Sequence, residues 1–170
     1  MKKILSLILV LCMMLALVAC SDKEEAPEGM KDVAPDDAKY NFYVPQNWVT
    51  NAEGVVGAYY SGSDKSNISI MAYGGEYTST DDYFDDFCER AADVFSSFEV
   101  VGEKEAKKIN EREAVRFCYT MELEGVEYKC MQTVTAYSNI FYVLTYTSTT
   151  ENYDLHLEDI EKILSEFTFK

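Results

Sequence analysis

A single histidine, His156, precedes Glu158 and Asp159 by two and three residues. A histidine beside a carboxylate can act as a general base. Neither acid stands at the four-residue spacing of a helix face, however, and no serine lies in a nucleophile-elbow motif. One histidine also removes the multi-histidine zinc sites. The reading of His156 is therefore a solvent-facing or boundary side chain. A second cluster, Asp81, Asp82, Asp85, Asp86 and Glu89, raises calcium binding. Hard cations require several oxygens converging at about 2.3–2.6 Å, and the DxDxDG loop pattern is absent. A solvated helix face is the expected role. With 30 acids in the chain, carboxylate pairs for glycoside hydrolysis arise by number alone, so spacing singles out none. Gly74-Gly75 fits neither a phosphate loop nor a dinucleotide fingerprint. No catalytic residue, cofactor site or metal site is assigned on these grounds.

The remaining candidates are thiols and phenols. Cys88, Cys118 and Cys130 form no CxxC pair. A turn at Glu124-Gly125 pairs Leu123 with Val126, which sets Cys118 opposite Met131 and away from Cys130. Cys88 and Cys130 both point to the expected core. Free buried thiols are the main expectation there, and a Cys88–Cys130 bridge is the alternative. The 13 tyrosines include Tyr59, Tyr60, Tyr73, Tyr119, Tyr128, Tyr142 and Tyr146 in strand-like stretches. Tyrosine suits half-buried sheet positions, and an exposed cluster would suit a peptide or sugar surface.

Cys20 is different, because its context specifies a reaction. Lys2 and Lys3 precede an apolar run from Ile4 to Val18. As a helix that run is about 22 Å long, short for a hydrocarbon core of about 30 Å. It reads as an export signal and not as a membrane span. Leu17-Val18-Ala19-Cys20 resembles a bacterial lipobox. That resemblance implies diacylglycerol on the Cys20 thiol and cleavage between Ala19 and Cys20. Each buried methylene of such a chain contributes about 0.8 kcal/mol, and two chains together hold a protein at a bilayer.

The chain has a net charge of −15; residues 1–19 carry two lysines and no acid, which leaves −17 for the remainder. Such a surface repels nucleic acid and anionic headgroups, so nucleic acid is excluded as a partner. Residues 21–39 hold seven acids, three lysines, two prolines and one glycine. A segment so poor in bulky apolar residues is expected to be a disordered spacer, with a reach of about 25 Å. The organisation expected is thus 1–19 signal peptide, 20–39 acidic tether and 40–170 folded domain.

These elements carry the domain. "YNFYVP", "GVVGAYYSG" and "NISIMAY" read as strands. "STDDYFDDFCERAADVFSSF" is the clearest helix, with Ser79 or Thr80 as N-cap and Asp81 and Asp82 in its first turn. Phe84, Phe87, Cys88, Ala91, Val94 and Phe95 recur on one face of it. "VVGEKEAKKI" is a strand ending in a turn at Asn110-Glu111. "REAVRFCYTMELEGVEYKCMQTVTAY" is a hairpin. "NIFYVLTYTS" is apolar on both faces, hence central. "ENYDLHLEDIEKILSEF" is a helix whose stripe is Tyr153, Leu157, Ile160 and Leu164, and "FTFK" is extended. Three strands, a helix, four strands and a helix give an α+β fold: an antiparallel sheet of six to seven strands with two helices packed on it.

This layout resembles the PsbP-like superfamily, including the bacterial DcrB-like lipoproteins. The matching features are "FYVPQNW", the helix "DDYFDDF", the hairpins after it and the ending "IEKILSEFTF". In that ending Glu166 splits the family's serine–phenylalanine pair. The resemblance implies an α/β/α sandwich and a non-enzymatic binding or accessory role beside a membrane complex, and it supplies no site residues. The expectation is an extracytoplasmic lipoprotein held at the cell membrane through Cys20, contacting an envelope protein complex or an exported ligand. The rivals are a hydrolase with carboxylates near Trp48 or the 61–67 hairpin, and a small solute-binding lipoprotein.

Overall fold

The computed structural model describes residues 25–51, 54–75 and 77–170. The expected signal peptide, Ala19 and Cys20 lie outside the described residues. In chain order the elements are β1 (Met30–Asp32), β2 (Tyr40–Asn41), β3 (Tyr43–Pro45), β4 (Val49–Thr50), β5 (Val56–Tyr59), β6 (Asn67–Gly74) and α1 (Thr80–Val94). There follow β7 (Ser96–Ile109), β8 (Arg112–Leu123), β9 (Val126–Tyr137), β10 (Ile140–Thr149), a 3-10 turn (Tyr153–His156), α2 (Leu157–Glu166) and β11 (Thr168–Phe169).

Seven strands form one antiparallel sheet in the order β4-β5-β6-β10-β9-β8-β7. Strands β7 to β10 meander through three two-residue turns. Asn110-Glu111, Glu124-Gly125 and Ser138-Asn139 all have positive φ at both positions, the geometry whose twist matches a hairpin. The register is as the apolar parity requires: Leu123 pairs with Val126 and Cys118 with Met131. The doubly apolar strand β10 is central, with three strands on either side.

Side-chain alternation along β10 splits the core. Tyr142, Leu144 and Tyr146 point to one face, where Ile160, Ile163 and Leu164 of α2 pack with Phe42, Val44, Trp48 and Phe167. Phe141 and Val143 point to the other, where they meet Phe117, Tyr119, Cys130, Val134 and Tyr83 of α1. The result is a helix on each side of a sheet, the expected sandwich.

Three details differ from the sequence reading. The ordered chain begins before Tyr40: β1 pairs with β3, and Met30 is buried within the segment expected to be spacer. A three-residue strand edge and one methionine suffice to dock a segment whose composition is otherwise that of a tether. Helix α1 stops at Val94, because Phe95 is already extended and opens β7. Its buried residues are Tyr83 and Ala91, while Val94 is 72% exposed. Cys88, Cys118 and Cys130 by contrast are free, as mainly expected, and the alternative Cys88–Cys130 bridge does not form. Finally, His156 is buried and not solvent-facing.

His156 fastens α2 to the loop between β5 and β6. Its Nε2 lies 2.8 Å from Asp64 Oδ2, and its ring lies 4.2 Å from that of Tyr60. The other oxygen of Asp64 accepts from Ser66 N at 2.9 Å and Ser66 Oγ at 2.6 Å. One turn into α2, Asp159 accepts from the buried Trp48 indole at 3.1 Å. On the other flank, Arg116 of β8 donates to both carboxylate oxygens of Glu161, at 2.5 and 3.2 Å. Burial alone would raise the Asp64 carboxyl, but hydrogen bonds from Ser66 and the neighbouring His156 outweigh it and hold the group at about 2.

Two outcomes follow for stability. A carboxyl held below its unfolded value of 3.8 contributes above that value and loses its contribution as the pH falls towards 2. Asp64→Asn should therefore cost about 2 kcal/mol at pH 7, and urea denaturation should show the gap from wild type closing between pH 4 and pH 2. At Gly57, a Cβ would overlap the Ile68 carbonyl oxygen and sit 2.8 Å from Ser69 Cα across the β5–β6 pair. Gly57→Ala should lower the unfolding free energy by more than about 2 kcal/mol, because backbone on a paired strand cannot step aside.

Candidate binding surface

The groups that suggested catalysis are spent on structure. Ser148 Oγ, Ser66 Oγ, Asp64 and His156 form a continuous hydrogen-bonded row, with the two hydroxyls 2.7 Å apart. The order is wrong for acyl transfer, because the carboxylate stands between the hydroxyls and the imidazole. His156 reaches neither serine oxygen along this row; the base on Ser66 Oγ is the Asp64 carboxylate, and its lowered pKa makes it a poor proton acceptor. Ser66, Ser148 and His156 are all buried. The hydrolase reading near Trp48 and the 61–67 loop thus meets an Asp64 that stays ionised and is fully engaged, the opposite of a general acid with a raised pKa. The other carboxylates with clear shifts, Asp82 and Glu105, are also lowered, each chiefly by a side-chain hydrogen bond, from Thr78 and Lys107 respectively.

The acids of α1 likewise take separate partners. Asp82 caps its own helix by accepting from Thr78 Oγ1 and Thr78 N. Asp86 accepts from Tyr77 OH at 2.8 Å and pairs with Arg90 at 2.7 Å. Asp81 pairs with Lys104 at 2.5 Å. Among the described residues no group of three or more His, Cys, Asp or Glu side chains converges on a common point. Burial pushes the Cys130 and Cys88 thiols up, away from the thiolate.

What stays open is the α1 side of the sheet. Seven strands at about 4.8 Å span about 29 Å, and one helix is about 10 Å wide. Helix α1 lies over the β7–β8–β9 part and leaves depressions at its N-terminal end and along its β6 flank. The first, of about 1140 Å³, is floored by Val115, Ala136 and Phe141 and bordered by Ser79, Lys108 and Glu113. A neighbour of about 460 Å³ shares Thr78, Ala136 and Phe141 with it. The third, of about 350 Å³, runs between α1 and β6 and is walled by Met71, Tyr73, Tyr83, Phe87, Arg90 and Val94. All three open to solvent.

Tyr83 shapes this third groove. Its hydroxyl donates to Gln132 Oε1 at 2.8 Å, and Gln132 Nε2 donates to Tyr119 OH at 3.4 Å. A buried glutamine satisfied by two phenols fixes how closely α1 sits on β9. Burial pushes the Tyr83 phenol well up, so it remains a donor at any physiological pH. Tyr73, Tyr77, Tyr83 and Phe87 form a chain of ring contacts 5.1–6.2 Å apart along the groove. The sequence reading placed Phe84 and Phe87 on this helix face and missed Tyr83. The signal was present in its position four residues before Phe87 and eight before Ala91.

The chain matches no family model and no curated protein sequence. Its fold is similar to that of cyanobacterial PsbP (CyanoP) from Synechocystis sp. PCC 6803, with a TM-score of 0.62 at 13% identity over 91% of this chain and 99% of that one. It is also similar to a Pseudomonas aeruginosa protein of unknown function (TM-score 0.56, 17% identity, 78% of this chain and 92% of that one). LpqN, involved in cell envelope biogenesis of Mycobacterium tuberculosis, is a third (TM-score 0.55, 14% identity, 77% and 83%). At these identities what is shared is the fold: the described chain has the PsbP-like α+β architecture, an antiparallel sheet between two helices.

Proposed function

We propose that this protein is a lipid-anchored, extracytoplasmic binding or accessory protein and not an enzyme. The observation that carries the reading is the asymmetry of the two faces. The α2 face is closed and uses up the histidine, the serines and Asp64, while every depression described above flanks α1. Broad open depressions suit a protein or peptide surface better than a small solute, which is usually enclosed over most of its area. None of the three similar structures is described as an enzyme, and one is tied to cell envelope biogenesis. No helix among the described residues is long and apolar enough to cross a membrane. In this proposal residues 1–19 direct export, lipid on Cys20 supplies the membrane contact, and a shortened acidic spacer leads into the domain near Met30.

Radiolabelled palmitate should enter the wild type and not Cys20→Ala; an unlabelled wild type would remove the anchor from the proposal. For the binding face, a photo-crosslinking residue at Val94 should capture protein neighbours on intact cells that the same residue at Leu155 does not. Leu155 is 71% exposed in the turn leading into α2, so it controls for mere accessibility. Equal capture at both positions, or none at Val94, would defeat the face assignment.

A further inference from the structure

The groove between α1 and β6 combines two properties rarely left to solvent together. Its rim carries two large exposed apolar side chains, Met71 at 54% and Val94 at 72% exposure. They stand on opposite walls, above a floor containing Val143 and the ring of Phe87. The outward side of α1 is strongly acidic. Residues 80–94 hold Asp81, Asp82, Asp85, Asp86, Glu89 and Asp93 against a single Arg90. At 3.6 residues per turn, Asp86 and Asp93 fall beside the Tyr83–Arg90–Val94 stripe that walls the groove, and Asp93 is exposed. Along β6 the groove runs from Tyr73 to Ser69, and along α1 from Tyr83 to Val94. Both distances are about 15 Å, the length of three helical turns.

We infer that this groove receives a cationic amphipathic helix of about three turns from a partner protein, its apolar stripe on Met71, Tyr73, Phe87 and Val94 and its Lys or Arg side chains against Asp93 and sharing Asp86 with Arg90 of the groove wall. The inference rests on the binding-face reading above and names the chemistry of its partner. The sheet supports it geometrically: α1 covers only part of its face, and a second helix beside it completes the layer. Charge selects the occupant. A second copy would bring two such acidic helices together, and an anionic bilayer surface would be repelled in the same way. A basic helix is instead drawn in, with an association rate that falls as salt rises.

The probe is a fluorescein-labelled twelve-residue Leu/Lys peptide with leucines at three- and four-residue steps, titrated into the lipid-free domain and read by anisotropy. Its controls are a scrambled peptide of equal composition and a Leu/Glu counterpart. Val94→Asp and Met71→Asp alter exposed positions, so both should fold; circular dichroism checks this. Each should weaken the Leu/Lys peptide at least tenfold, whereas Leu155→Asp should leave it within twofold. Equal binding of the scrambled peptide, or no loss in the two groove variants, would overturn the inference. Sedimentation showing a dimer that Val94→Asp abolishes would overturn it in favour of a second copy. Mapping of the segment captured by the crosslinker at Val94 separates the two levels of the argument. A captured segment without a basic amphipathic helix defeats this inference and leaves the binding face standing. No capture at all defeats the face itself.

Discussion

Burial of β10 on both of its faces is the constraint from which the rest of the structure follows. Phe141 and Val143 on one side, and Tyr142, Leu144 and Tyr146 on the other, must all leave water. A strand of this kind has to sit inside a sheet with a layer on each side. The meander β7–β10 supplies one set of neighbours, and β6 with β5 and β4 supplies the other. The crossover from β6 to β7 is made by α1, so α1 is carried to the far side of the sheet centre and over β9. That single connection is why the β6 flank of the face lies bare.

The two faces then diverge in character. The α2 face is sealed by short N-terminal strands, by Phe167 and Phe169, and by polar fasteners along the N-terminal half of the helix. Trp48 with Asp159, His156 with Asp64, and Arg116 with Glu161 each bridge α2 to a different part of the chain. The buried members, Trp48 and His156, would be costly if unsatisfied, and here both have a carboxylate partner. His156, Asp64 and Asp159 therefore serve as struts of this face. The α1 face has one polar centre, Gln132 with two tyrosines, and otherwise depends on aromatic contacts that leave grooves on either side.

Particular residues show where local patterning was enough. The turn at Glu124-Gly125 and the parity of Phe117, Tyr119 and Met121 set the hairpin register directly, and with it the separation of Cys118 from Cys130. The cap was readable as Ser79 or Thr80, a hydroxyl just before two acids, and the structure selects Ser79. Met30 was not readable, since one buried side chain does not change the composition of an acidic stretch. Val94 was misplaced because helical spacing gives a direction and not a covering partner. His156 was read as solvent-facing or at the boundary because its partner, Asp64, lies 92 residues away. No local spacing rule reaches across that distance.

By itself, then, the sequence determined the α+β class, the register of the β8–β9 hairpin, the centrality of β10 and the acidic character of α1. Each depends on periodicity, turn chemistry or charge within a few residues. Only the tertiary structure decided which face closes and which stays open, and that His156 and Asp64 meet in a buried hydrogen bond. Those outcomes depend on where the β6–β7 crossover lays one helix across a sheet nearly three times its width. Chain segments distant in sequence settle that matter by competing for the same apolar surface.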